Sequence, residues 1–215
     1  QTPFIMKYLA IICSLFISTL SVAQESKAVF PLNNNSDIDI RAVSSGSYKF
    51  IDVTLTNFSK SNKVVEFPLG GFFVNLDTTE QNLVVLFYDE IKLDASSTSE
   101  IRIGTACANP NRKAPLKNRT TWVYDYDPKI ADLLYYYHTN RSVVEIFTGA
   151  EHHSTVEKRQ NFLQMCVWCY YNADKSQIID FATTYMFDGD KQAATDYVDV
   201  FYPLVITFID LYKKA

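Results

Sequence analysis

Four cysteines, two adjacent histidines and one glutamine next to a short Trp motif are the residues here whose types could carry chemistry. Cys166-Val-Trp-Cys169 is a C-x-x-C pair. In redox enzymes such a pair stands at a helix start, where unpaired amides lower a thiol pKa. Here about ten residues of helical pattern precede it, so that help is missing. A disulfide between positions i and i+3 of one helix would also be strained and labile. Cys166 and Cys169 are therefore candidate redox residues, with two small buried side chains as the plainer reading. Cys107, Cys166, Cys169 and His152 or His153 have the right donor types for zinc, but their spacing fits no finger pattern. Asn172, Asp174 and Ser176 imitate the start of a calcium loop, yet Gln177 stands where glycine is required and Thr183 where a bidentate Glu belongs. No metal site and no cofactor is expected. Motifs for the serine-nucleophile elbow, metalloprotease, dinucleotide and P-loop classes are missing.

The most pointed pattern is Leu163-Gln-Met-Cys-Val-Trp168. It resembles the T-Q-x-A-[IV]-W helix of thioester domains in bacterial surface adhesins, with Gln164 and Trp168 at the family's Gln and Trp positions. Leu163 replaces the family's Thr and Cys166 its Ala. In that family an earlier Cys attacks the side-chain amide of the Gln, and the resulting thioester acylates an amine on a host surface. By chain order the resemblance makes Cys107 the partner of Gln164. An odd thiol among Cys107, Cys166 and Cys169 agrees with it, and the basic cluster Arg112, Lys113, Lys117 and Arg119 would favour a thiolate at Cys107. The helical wheel points elsewhere. Glu157, Gln160, Asn161, Gln164 and Trp168 fall on one polar stripe, which predicts a solvated Gln164.

A second resemblance covers more of the chain. Phe67-Pro-Leu-Gly-Gly-Phe-Phe-Val74, Gln81-Asn-Leu-Val-Val85 and Cys107-x-Asn-Pro110 are similar to segments of secreted bacterial β-sandwich proteins. It implies a fold over about residues 38–110 and names no activity. Tyrosines cluster at Tyr135, Tyr136 and Tyr137. With Trp168 they are the candidate binding aromatics, able to stack on a sugar or a partner protein. His138 is expected to favour the C-terminus of its own helix.

The elements that must position these residues follow from periodicity. Residues 36–43, 51–55 and 100–105 alternate polar and apolar, and 83–88 is a continuous apolar run. Turn-rich pieces separate them every 8–12 residues, which reads as an antiparallel sandwich. After Asp125 the period becomes helical. Asp127-Pro128 opens one helix, Ser154-Thr-Val-Glu157 reads as a capping box for the next, residues 176–187 repeat the pattern, and 190–212 form a long amphipathic stretch that Pro203 should kink or split. Strands first and helices after predict an α+β protein, with a β-sandwich over 24–119 and a helical part over 120–215 packed on it.

Composition narrows the rest. Of 215 residues, 20 are Lys or Arg and 24 Asp or Glu, and aromatics make up 14%. So acidic a balance excludes a nucleic-acid binder that works by bulk positive charge, and so aromatic a chain is not disordered. Met6-Lys7, the apolar run from Tyr8 to Leu20 and Ser21-Val22-Ala23 read as a signal peptide over 1–23, with 1–5 upstream of it. That run is shorter than the ~20 residues of a membrane span, so no transmembrane segment is expected after cleavage. The expected protein is secreted, periplasmic or on the cell surface. It would bind or adhere without catalysis to a protein or glycan there. The alternatives are a Cys107–Gln164 thioester and redox chemistry at Cys166 and Cys169.

Overall fold

The structure is a computed structural model describing residues 26–29 (backbone), 36–47, 49–120 and 122–215. The expected signal peptide lies outside the described residues. The strands are β1 (Ser26–Val29), β2 (Ile38–Ser44), β3 (Phe50–Asn57), β4 (Lys63–Phe67), β5 (Gly71–Asn75), β6 (Leu83–Val85), β7 (Asp89–Leu93), β8 (Thr98–Cys107) and β9 (Trp122–Tyr126). The helices are α1 (Pro128–Thr139), α2 (Arg141–Thr148), α3 (Val156–Tyr170), α4 (Lys175–Tyr185) and α5 (Lys191–Lys214), with a 3-10 turn at Ala150–His153. A sheet-rich part is followed by a helical part, so the α+β class holds.

One sheet has the order β2-β3-β8-β6-β5-β9 and the other β1-β4-β7. The strands alternate as the pattern demands: Ile51, Val53 and Leu55 of β3 are fully buried while Asp52 and Thr54 are not. Among the described strands pairing is antiparallel except between β1 and β4, which run parallel, a departure from the all-antiparallel expectation. β9 also follows residue 119, so the sheet continues seven residues past the expected boundary and pairs Trp122–Tyr126 with β5. The apolar run 83–88 divides: β6 ends at Val85, and β7 crosses to the other sheet.

α1 begins as its sequence indicates. Asp127 accepts from the amides of Lys129 and Ile130, and Pro128 occupies the first turn. Ile130, Leu133, Leu134 and Tyr137 form its buried face. Thr155, one residue into the expected capping box, caps α3 by accepting from Lys158 N. α5 runs through Pro203 as one helix, burying Val198, Val205, Phe208 and Ile209. One close approach fixes α1 against the sheet. Gly70 has φ +77°, and a Cβ there would meet Ala131 Cβ at 2.7 Å and Ala131 N at 2.8 Å. Only glycine combines that backbone with that contact.

Candidate functional site

β8 is the longest strand, and its two edges are used unequally. On one edge β3 pairs with it only as far as Phe50↔Gly104, after which Thr105 N donates to Lys49 O. On the other edge β6 pairs with Thr105–Cys107. Among the described residues, the last residues of β8 have no strand pairing on the β3 side beyond the Thr105–Lys49 bond. Their backbone groups are buried, and a buried amide without a partner costs about 1–3 kcal/mol. α3 lies across this gap and fills it with two glutamines. Gln160 Nε2 donates to Thr105 O at 3.1 Å and also to Lys49 O. Gln164 Oε1 accepts from Cys107 N at 2.7 Å, while Gln164 Nε2 donates to Cys107 O at 2.8 Å. The carboxamide reproduces the donor and acceptor of a peptide group, so Gln164 pairs with Cys107 as a strand residue would.

This overturns the solvated reading of Gln164. Gln160 and Gln164 are each only 2% exposed, so the polar stripe of α3 faces the sheet along much of its length. Asn161 Oδ1 and Trp168 Nε1, on the same stripe, are buried without a hydrogen-bond partner. Buried polar atoms of this kind are uncommon in folded proteins. The periodicity was polar, and nothing in it distinguished a stripe facing water from one facing strand backbone.

The same two hydrogen bonds bring the carboxamide of Gln164 against the backbone of Cys107. A 2.7 Å bond plus one C=O length holds Gln164 Cδ within about 4 Å of Cys107 N. The Cys107 amide points at Oε1, the atom on which charge would develop if sulfur attacked Cδ. Cys107 itself is fully buried, and burial pushes its thiol well above the ordinary range. The expected help from basic residues is not there. Arg119 binds Glu80 at 2.6 Å and Asp77 at 3.2 Å instead, and Glu80 is nearly fully buried beside Asn75 Nδ2. This ion pair anchors the 109–119 loop that follows Cys107.

The remaining candidates separate. Cys166 is fully buried and Cys169 half-buried, both as free thiols. Burial raises both, Cys169 to about 12, the opposite of what redox chemistry needs. Among the described residues no group of three or more His, Cys, Asp or Glu converges as a metal site. Asp174 and Ser176 serve the α4 N-terminus, where Asp174 and Gln177 form a capping box. His153 is not in a solvated loop but fully buried. Its Nδ1 meets Tyr137 Oη at 2.9 Å and its Nε2 meets Thr148 Oγ1 at 2.7 Å. Thr148 donates to Val144 O, so it accepts from His153 Nε2–H, and Nδ1 accepts from Tyr137. Burial lowers the His153 pKa to about 4. His138 does not serve its own helix end; its Nε2 meets Leu86 O at 3.0 Å. Of the candidate binding aromatics, Tyr137 and Trp168 are buried and offer no surface. Tyr136 packs on Phe208 and Tyr212. Tyr135 alone is well exposed, at 65%. No helix among the described residues is long and apolar enough to cross a membrane.

Comparison of the chain with protein-family models, with curated proteins and with solved structures gives no match. The resemblance around Gln164 rests on the residues of this chain alone.

Proposed function

We propose that this chain is a covalent adhesion module that forms an internal thioester between Cys107 and Gln164. The reading rests on one observation: the Gln164 carboxamide is clasped by the backbone of Cys107, 57 residues away in sequence. In the proposed step Cys107 Sγ bonds to Gln164 Cδ and the Cδ–Nε2 bond breaks. The thiol proton passes to the departing nitrogen, which leaves as ammonia. The Cys107 N–H stabilises the oxyanion of the tetrahedral intermediate. A primary amine presented by a cell surface or partner protein would then take the acyl group and return the thiol. Secretion to the cell surface or periplasm belongs to the same proposal. It is motivated by the expected signal peptide and by a thioester's need to meet a partner outside the cell.

Intact-mass spectrometry of the purified chain tests it. A mass one ammonia below the sequence value is expected, with methylamine adding to that species. The Cys107→Ala variant should show neither change. A full sequence mass that methylamine leaves unaltered would refute the proposal. The second reading is adhesion without covalent chemistry, favoured by the complete burial and raised pKa of the Cys107 thiol. In that case the Gln164 clasp only completes the sheet, and the full mass is the expected result.

A further inference from the structure

A second feature lies apart from the Cys107–Gln164 clasp. Where the β4–β5 turn, the segment after β6, the end of β9 and the outer face of α1 meet, they enclose an open cleft of about 650 Å³. Phe87, Tyr88, Tyr126 and Tyr135 supply aromatic walls, and Asp132 supplies a carboxylate. Three of those rings are substantially solvent-exposed: Tyr88 at 53%, Tyr126 at 43% and Tyr135 at 65%. No Lys or Arg lines the cleft.

From this we infer that the cleft binds an organic cation of the alkylammonium class. Aromatic faces attract a cation through their quadrupole, and a cluster of rings with one carboxylate is the arrangement that takes a methylated or alkyl ammonium. The charge around the rings has the matching sign. Tyr88 Oη donates to Glu66 and, at 3.2 Å, to Glu90, so two further carboxylates sit at the rim. The one imidazole in the lining is not a competing cation. His138 is engaged with Leu86 O, and burial lowers its pKa.

The polar content of the cleft separates this ligand from a sugar. A sugar is oriented by several fixed donors and acceptors. Here half of the polar side chains of the lining are already engaged within the protein. Thr139 Oγ1 donates to Tyr135 O at 2.8 Å, His138 serves Leu86 O, and Tyr88 Oη serves its two glutamates. What remains is ring surface, the Tyr126 and Tyr135 hydroxyls and the Asp132 carboxylate, whose single negative charge favours a cation over a neutral polyol. The walls are also firmly held. Phe87 packs edge-on against His138 at 5.7 Å and closes on Gly104, where a Cβ would lie 2.8 Å from its ring. The Gly70–Ala131 contact locks the turn to α1.

The test is titration of the full chain with choline, followed by NMR of the aromatic side chains. The comparison ligand is 3,3-dimethylbutan-1-ol, which has the shape of choline without its charge. Saturable shifts of Tyr126 and Tyr135 are expected with choline, with at least about tenfold weaker binding of the neutral isostere. Asp132→Asn and Tyr135→Ala should each weaken choline by about threefold to tenfold. Both residues are exposed, so the variants are expected to fold as the parent does, which unchanged amide shifts would verify. A second arm offers the same headgroup on phosphatidylcholine vesicles. Co-sedimentation would place the ligand on a lipid surface, and its failure alongside binding of free choline would assign a diffusible one; either result supports the alkylammonium assignment. Equal binding of choline and the isostere, no saturable shift, or binding untouched by both variants would overturn it. None of these readouts depends on the thioester, since Cys107→Ala should bind choline equally well.

Discussion

Gln164→Glu probes the clasp between α3 and β8 with a single atom exchange. The Gln carboxamide presents an acceptor to Cys107 N–H and a donor to Cys107 C=O. A protonated Glu does the same, with O–H replacing N–H. An ionised Glu keeps the first bond but sets an anionic oxygen against the Cys107 carbonyl, in a site where Gln164 is 2% exposed. Leaving a buried charge without its partner costs about 3–5 kcal/mol. At 1.36 kcal/mol per unit, a penalty of about 3 kcal/mol raises the glutamate pKa by about two units, from ~4.3 to ~6.5. A group whose folded pKa is raised keeps its full contribution below the unfolded value and loses it as pH rises through the folded one. The double variant Cys107→Ala/Gln164→Glu should therefore match Cys107→Ala near pH 4. It should fall behind by about 3 kcal/mol by pH 7.5. Cys107→Ala is the reference because it removes any acylation from the comparison. Urea unfolding with equal m-values measures the difference at each pH. A gap that does not change between pH 4 and 7.5 would refute the strand-surrogate account of Gln164.

Three other outcomes follow from the same structure. His153 is held neutral in the fold at a pKa of about 4, against 6.5 when free. Acid protonates the unfolded chain first, so stability should fall by about 3 kcal/mol between pH 6.5 and 4; His153→Gln should flatten that part of the pH–stability curve. Arg119→Met should destabilise by about 1–3 kcal/mol, because Glu80 is left buried beside Asn75 without its cation, and thermal unfolding would register it as a lower Tm. Gly70→Ala forces a side chain into φ +77° and onto Ala131, a loss of about 2–5 kcal/mol readable from the urea midpoint.

Much of the architecture was legible because it depends on short-range rules. Alternation placed β2, β3 and β8, Asp127-Pro128 opened α1, and the change of period after Asp125 separated strands from helices. α2 was missed because its eight residues, RSVVEIFT, are shorter than the stretch over which a helical period is read, although Val143, Ile146 and Phe147 form an apolar face that the fold leaves exposed. β9 was missed because a five-residue strand at a sheet edge buries one side chain, Trp122, nearly completely, and its alternation is short. The parallel β1–β4 pair depends on where two distant segments meet, which local pattern does not encode.

The resemblance of Leu163–Trp168 to a thioester-domain helix nominated Gln164, and chain order within that resemblance nominated Cys107. The sequence could not say which way the polar stripe of α3 faces. Water and unpaired strand backbone satisfy a carboxamide equally well, so the helical period looks the same in either case. Only the tertiary structure brings the buried peptide groups of Thr105 and Cys107 against α3 for Gln160 and Gln164 to pair with. The same limit applies to Tyr135, Tyr136 and Tyr137. Three consecutive tyrosines are equivalent by composition, but a 100° step per residue sends one to the cleft, one against α5 and one into the core.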